Sequence, residues 1–336
     1  MMENTLFVLL DGAEDHPNPL MGGKKPIEVA DMPFMRSKAP HRYRTTGRGY
    51  TQLFLNEFFT GHPPEIERAA LEALGLGLPI SDAKRAAFRL SPARIGDGMV
   101  RWCYNTAEIK DALEEHIMSN MGILSSYDPA IKFFIEGRAV LTMEWDDVPT
   151  LPAPPTDAPY KEVPGDLGKL VTTVAGELDG ITGYPWGCGR MGRQYPGFDE
   201  VRNMTAVSDS PTSMGICASL GYETHIVYDL ESRFPIARDA LKKGDVFLHV
   251  DEVDEYSHQK DPFKKKAVLE KTDRLMEEYF PDVENIVYFV DHGTSCVTGE
   301  HILMEVPLWT SMDLGIPENG MIPVAEIVKT VLNKVR

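Results

Sequence analysis

Three short apolar runs, each ending in acidic residues, constrain this chain more than any other feature. Leu6-Phe7-Val8-Leu9-Leu10 runs into Asp11-Gly12, Val246-Phe247-Leu248-His249-Val250 into Asp251 and Asp254, and Ile286-Val287-Tyr288-Phe289-Val290 into Asp291-His292. Each run is bounded by Gly, Asp or Asn and is rich in β-branched or aromatic residues, so each reads as a buried strand. Near-continuous apolarity without alternation is what a parallel strand covered on both faces requires. Helical patterns lie between the runs. After Asp261-Pro262, residues Val268, Thr272, Leu275, Met276 and Tyr279 recur on one face, and segments 65–75 and 234–243 also read as helices. The expected fold is therefore α/β, a three-layer, mainly parallel sheet with helices on both faces. In such sheets ligand sites collect at the carboxyl ends of strands, which here carry Asp11, Asp254 and Asp291.

The middle of the chain differs. Residues 147–166 are so rich in proline that an extended connection is expected there. Before it, an amphipathic helix around Ala112–Met121 and a strand-like run at 138–143 read as a small α+β unit. The expected organisation is a discontinuous main domain, 1–89 with 166–336, carrying an inserted cap at 90–165. A length of 336 residues suits one large domain or two unequal ones.

The formal net charge of −17 argues against nonspecific binding to nucleic acid or to an anionic membrane, both of which need clustered Lys and Arg. An anionic small molecule remains compatible, because bound metals and a few arginines can reverse the local field. No window reaches the apolar length of a membrane helix, about 20 residues. The N-terminal run lacks the basic region and cleavage site of a signal peptide. Cys103, Cys188, Cys217 and Cys296 show no CxxC spacing, which points to free thiols in a reducing cytoplasm rather than a zinc finger or disulfide framework.

The acidic ends of the strands carry imidazoles as well. Asp254 and His258 are four residues apart just after a strand, a spacing that a helical turn or compact loop brings together around one cation. Asp291-His292 follows another strand, and His301 lies close by in sequence. Oxygen and nitrogen donors without Cys suit Mn²⁺, Zn²⁺ or Fe better than Mg²⁺. Singly, each residue has an ordinary structural reading: Asp11-Gly12 as a turn, His258 as a surface residue of a charged loop. All of the acidic residues following strands on one sheet edge is a joint pattern those readings do not supply.

The order of motifs resembles the archaeal-type cofactor-independent phosphoglycerate mutases of the alkaline phosphatase superfamily. The resemblance is carried by Leu10-Asp11-Gly12-Ala13-Glu14-Asp15, by Gly23 through Pro33, by Glu72-Ala73-Leu74-Gly75, by Ala87-Phe88-Arg89 and by Tyr184-Pro185-Trp186-Gly187-Cys188-Gly189-Arg190. Its most specific elements are His249 through His258, Asp291-His292-Gly293-Thr294, and His301 with Val306-Pro307. It covers most of the chain, thinning between about 95 and 175.

The resemblance implies an alkaline phosphatase-like fold and two divalent metal ions, Mn²⁺ or Zn²⁺. Asp254, His258 and His301 would hold one, and Asp11, Asp291 and His292 the other. Two such ions clamp the attacking and leaving oxygens of an in-line displacement. It further implies an isomerase of glycolysis, interconverting 2- and 3-phosphoglycerate in the cytoplasm, with Arg89 gripping a phosphate or carboxylate as a planar fork. Expected partners are a small phosphorylated substrate, with no nucleic acid and no membrane; assembly into a homo-oligomer is left open. In the family a Ser in a Gly-Ser-Asp segment accepts the phosphoryl group. Here the stretch from Thr46 to Phe59 contains no Ser, and Thr51 is the nearest hydroxyl. Thr51 reads either as the acceptor, at a helix N-terminus that favours an anion, or as a helix cap. With this substitution three readings stand: mutase-like transfer through Thr51, a phosphohydrolase or phosphotransferase acting on a different phosphate or phosphonate, and a metal-binding paralogue without catalysis.

Overall fold

The structure is a computed structural model that describes residues 4–80 and 83–336. The chain divides into two compact units, Met1–Pro64 with Gln194–Arg336, and Glu65–Arg193.

The first unit is built on a seven-stranded sheet. Its strands run in the order Glu223–Ile226, Thr205–Ser208, Val246–Val250, Leu6–Leu10, Ile286–Phe289, Glu305–Thr310 and His41–Thr46. The first five are mutually parallel and the last two join antiparallel. The three apolar runs are thus the three central neighbours, and every residue of Leu6–Leu10 and Val246–Val250 is buried. That is why these strands show no polar alternation: both faces are covered.

The register assigns the faces. Phe7 pairs with Phe247, and Leu9 pairs with His249 on one side and Phe289 on the other, so these five side chains share one face. Helix Thr51–Thr60 covers it: Phe58 stacks on Phe289 with ring centroids 4.4 Å apart and meets Phe7 edge-on at 5.8 Å, while Phe59 meets Phe247 at 5.3 Å. Helices Pro211–Ser219 and Ile327–Val335 pack against it in the same layer. On the opposite face lie Val8, Leu248 and Tyr288, and the carboxylate of Asp273, on helix Pro262–Tyr279, acts on the Tyr288 hydroxyl. Helix Leu230–Leu241 joins that layer through Pro262–Tyr279. The arrangement is the expected three-layer, mainly parallel α/β fold.

Local sequence explains the long helix. Asp261 accepts hydrogen bonds from the backbone N–H groups of Phe263 and Lys264, and Pro262 occupies the first turn, where its missing N–H is no loss. Val268, Leu269, Thr272 and Met276 form the buried stripe.

The second unit is an antiparallel sheet centred on the twelve-residue strand Arg85–Gly96. One edge of that strand pairs with Ile181–Gly189; the other pairs with Ala139–Glu144 and then Met99–Trp102, with Ala130–Phe133 outermost beside Ala139–Glu144. Helices Lys110–Asn120 and Gly165–Glu177 place Leu113, Ile117, Leu167, Leu170, Val171 and Val174 in its core with Phe88, Trp102 and Tyr184. The unit contains the whole 90–165 segment expected as an insert and extends beyond it at both ends. The reason is physical: strands Arg85–Gly96 and Ile181–Gly189 are partners in one sheet, and helix Arg68–Gly75 packs on both. The proline-rich stretch is mostly irregular, apart from Ala158–Pro159, which pair with Met99 and Val100, and its last two residues, which open helix Gly165–Glu177.

Candidate metal centre

Three strand ends and one helix N-terminus meet in the first unit. Asp11 follows strand Leu6–Leu10 and Asp291-His292 follows Ile286–Phe289, their central neighbour. Strand alternation continued one step past Leu9 and Phe289 directs Asp11 and Asp291 towards the face covered by helix Thr51–Thr60. Asp254 and His258 lie on the short helix Glu252–His258, one turn apart, as their spacing predicted. His301 opens a two-residue strand that pairs Thr294 with His301, which carries its ring to His292 at a centroid separation of 4.1 Å.

All six predicted ligands therefore come together. Ligand atoms of Asp11, Asp291 and His292 lie within 4.8 Å of one another, and so do those of Asp254, His292 and His301. His292 Nε2 is 3.2 Å from Asp11 Oδ1 and 3.3 Å from Asp291 Oδ2. His258 joins the second group, with its Nε2 3.0 Å from Asp254 Oδ2 and 3.2 Å from His301 Nε2.

The donor set fits divalent cations. His258 Nδ1 donates to the Gly299 carbonyl at 2.7 Å and His301 Nδ1 donates to the Gly49 carbonyl at 2.7 Å. A carbonyl can only accept, so each Nδ1 carries the hydrogen, and in the neutral rings both Nε2 atoms present lone pairs. Two lone pairs 3.2 Å apart beside a carboxylate are mutually repulsive until a cation lies among them. Anchoring of the far ring nitrogen by a carbonyl is also how metal-bound histidines are oriented. Asp291 supplies a further sign: its Oδ1 accepts from the backbone N–H groups of Gly12 and His292, while its buried Oδ2 accepts no hydrogen bond.

The same crowding shifts proton affinities. Burial raises the Asp291 carboxyl, and the Asp11 charge adds to that. Burial also raises Asp11, but its hydrogen bonds with His249 and His292 outweigh this and hold it below the usual carboxylate range. For Asp254 burial is again opposed and outweighed, here by His258 and His301, so its carboxyl is well below the ordinary value. His292 is lowered by burial, but Asp291, Asp11 and Asp254 together raise it more, for a net rise. His301 falls, through burial and then repulsion from His292. Strongly displaced proton affinities gather at functional sites, and these groups share one buried cluster.

Thr51 joins this cluster. It is the first residue of helix Thr51–Thr60, the cap position belonging to Tyr50, and its hydroxyl lies 3.3 Å from Asp11 Oδ2 and 3.3 Å from His292 Nε2. Arg89 belongs to the second unit. There its guanidinium donates to the Glu72 carboxylate and to Ser91 Oγ, between the Trp186 ring at 5.2 Å and the Phe134 ring at 5.0 Å.

Sequence reasoning passed over three contributors. His249 Nε2 is 2.7 Å from Asp11 Oδ2, and the signal available was an imidazole inside an otherwise apolar strand. Gly12 has φ +59°, and a Cβ there would come within 2.4 Å of Asp254 Oδ1, so the glycine lets the two ligand-bearing elements close. Lys265 is fully buried and donates to the carbonyls of Gly12 at 2.9 Å and Thr294 at 3.0 Å, tying the first strand end to the segment after Asp291.

Residues 221–320, which hold five of the six predicted ligands, match the Metalloenzyme superfamily. The chain is 23% identical to the 2,3-bisphosphoglycerate-independent phosphoglycerate mutase of Picrophilus torridus, over 96% of this chain and 92% of that protein. It is 25% identical to the enzyme of the same name from Pyrobaculum calidifontis, over 91% and 88%. Among solved structures, the PH0037 protein from Pyrococcus horikoshii superposes with a TM-score of 0.73 at 19% identity, covering 100% of this chain and 98% of that one. The cofactor-independent phosphoglycerate mutase from Thermoplasma acidophilum superposes at 0.53 and 18% identity, covering 99% and 100%. These structural likenesses establish the fold. The sequence relatives bear out the resemblance read from the motifs: over most of its length the chain is similar to archaeal cofactor-independent phosphoglycerate mutases.

Proposed function

We propose that the protein is a two-metal phosphoryl-transfer enzyme of the phosphoglycerate mutase type, acting on a small phosphorylated acid, with Thr51 as the phosphoryl acceptor. Asp254, His258 and His301 would hold one divalent ion, and Asp11, Asp291 and His292 the other, with Mn²⁺ or Zn²⁺ the ions best matched to these donors. The observation that carries the reading is the Thr51 hydroxyl, buried at a helix N-terminus and 3.3 Å from both a carboxylate and an imidazole of the cluster.

When bound, the ions would polarise the phosphoryl oxygens and stabilise the oxyanions on either side of phosphorus. The chain's own residues do the rest. Asp11 and His292 hold the Thr51 hydroxyl in place, and the first backbone N–H groups of helix Thr51–Thr60 favour an incoming anion. Thr51 Oγ1 takes the phosphoryl group from one oxygen of the glycerate, which leaves with the proton Thr51 gives up, holds it as an ester, and returns it to the other hydroxyl, whose proton restores the Thr51 hydroxyl, so no water is consumed. Arg89 is the candidate to grip the phosphate or carboxylate of the substrate, a role that requires it to leave or share its pairing with Glu72.

The test is an enolase-coupled assay on metal-loaded protein with 3-phosphoglycerate. Conversion to 2-phosphoglycerate, lost in Thr51→Val at unchanged metal content and retained in Thr51→Ser, supports the proposal. Phosphate release without isomerisation assigns the site to a phosphohydrolase. Silence across a panel of three- and four-carbon phosphorylated acids, with both ions bound, assigns it to a metal-binding protein without catalysis.

A further inference from the structure

Asp11 is buried between two imidazoles, and only one of them belongs to the proposed ligand set. The other, His249, has no exposed surface and lies one strand over, its Nε2 2.7 Å from Asp11 Oδ2. An ionised carboxylate only accepts, so Nε2 carries the hydrogen of this bond. On the far side of the ring, Nδ1 is 2.9 Å from Ser208 Oγ and 3.0 Å from Ser213 Oγ. Ser208 Oγ also accepts from the backbone N–H of Ser210, which leaves its own hydrogen available for Nδ1. The result is a buried chain of hydrogen bonds running from the end of strand Thr205–Ser208, through strand Val246–Val250, to the end of strand Leu6–Leu10.

We infer that the Ser208/Ser213–His249 pair is a positioning device that pins Asp11 Oδ2, turning Oδ1 towards the cation site it shares with Asp291 and His292. Asp11 has one rotatable bond between its carboxyl plane and Cβ, and without a fixed partner on one oxygen its plane is free to turn. His249 removes that freedom with the shortest contact to Oδ2, and the two serines hold the ring orientation. The alternative, that His249 is itself a ligand, is visible in the geometry, since ligand atoms of Asp11, His249 and Asp251 also lie within 4.8 Å of one another. The hydrogen on Nε2 speaks against it: a nitrogen that donates to Asp11 has no lone pair for a metal. The inference rests on the reading that Asp11 is a metal ligand.

The experiment is equilibrium titration of the metal-free protein with Mn²⁺ or Zn²⁺ alone, giving stoichiometry and the affinity of each site. It is applied to the wild type, Asp11→Asn, His249→Phe, His249→Gln and the milder Ser213→Ala. The expected result is two ions in the wild type, with one site weakened about 10–100-fold in His249→Phe, the range for loss of a group that orients a ligand. His249→Gln, whose amide can place an N–H near the position of Nε2, should recover most of that loss. Ser213→Ala, a smaller change that spares the ring, should weaken the same site in the same direction. Equal affinities in His249→Phe and wild type overturn the inference. So does a third ion in the wild type that disappears in both His249 variants, which would make His249 a ligand. Failure of the underlying reading shows differently: Asp11→Asn would then bind metal as the wild type does.

Discussion

Replacing Gly12 by alanine tests the centre where two elements approach most closely. Gly12 has φ +59°, and a left-handed conformation costs an L-residue about 1–2 kcal/mol. The second effect is steric. The added Cβ would lie 2.4 Å from Asp254 Oδ1 and 2.6 Å from Thr294 Oγ1, where ordinary contact begins at 3.4 Å. To restore contact the Asp254 carboxylate must retreat by about 1 Å, several times the roughly 0.2 Å that metal–ligand distances tolerate. The retreat also strains the 2.5 Å hydrogen bond that Thr294 Oγ1 donates to Asp254 Oδ1. The metal-free variant should therefore melt about 2–8 °C lower, from that backbone cost at 2–4 °C per kcal/mol for a unit of this size. Affinity at the Asp254 site should fall at least 10–100-fold, the range known for merely disturbing a ligand's support. Calorimetry of the metal-free proteins and competition titration against a chromophoric chelator measure the two effects separately. A Gly12→Ala variant with wild-type melting and wild-type affinity at both sites would refute the geometry, not only the function.

Chelation should lower the melting temperature, since ions bound only by the folded state stabilise it by about 2.7 kcal/mol each at a hundred times the dissociation constant; a melting curve unmoved by chelator would rule out a tightly held pair. Metal uptake should strengthen as pH rises. Burial lowers His292 but Asp291, Asp11 and Asp254 together raise it more, and burial raises Asp291 itself, so the metal-free pair holds protons that a cation must displace. Protons released on binding, read in buffers of different ionisation enthalpy, check this, and an affinity flat between mildly acidic and mildly alkaline pH would contradict it. Lys265→Met should destabilise the protein by about 3–5 kcal/mol, the range for breaking a buried ion pair, since it strips the buried Asp15 carboxylate of the cation 3.5 Å away. It leaves the Gly12 and Thr294 carbonyls without their buried donor, and denaturant unfolding with an unchanged midpoint would show that the tie carries no weight.

The second unit invites a narrower comparison. Arg89 was read from its motif as a substrate grip, and its neighbourhood is an internal one: Glu72, Ser91, Trp186 and Phe134 surround the guanidinium. A planar guanidinium held between aromatic rings keeps its orientation. Among the described residues no helix is long and apolar enough to cross a membrane.

Much of this was written in local sequence. The buried parallel strands were legible because burial on both faces removes polar residues from every position, as in Leu6–Leu10. Asp254 and His258 were legible because a helix brings positions four apart to one face, whatever surrounds it. The boundary of the second unit was less legible, because Ile181–Gly189 belongs with Arg85–Gly96 through pairing across some ninety residues and through nothing local. What only the tertiary structure decided is convergence. Thr51 meets His292 across 241 positions and His249 meets Asp11 across 238, contacts fixed by sheet order and register. Lys265, in the run Lys264-Lys265-Lys266, looks like its more exposed neighbours until the helix turns it under the first strand end. Residue chemistry states which groups a chain can bring to a metal; which of them share a single buried volume depends on packing between segments that sequence spacing does not relate.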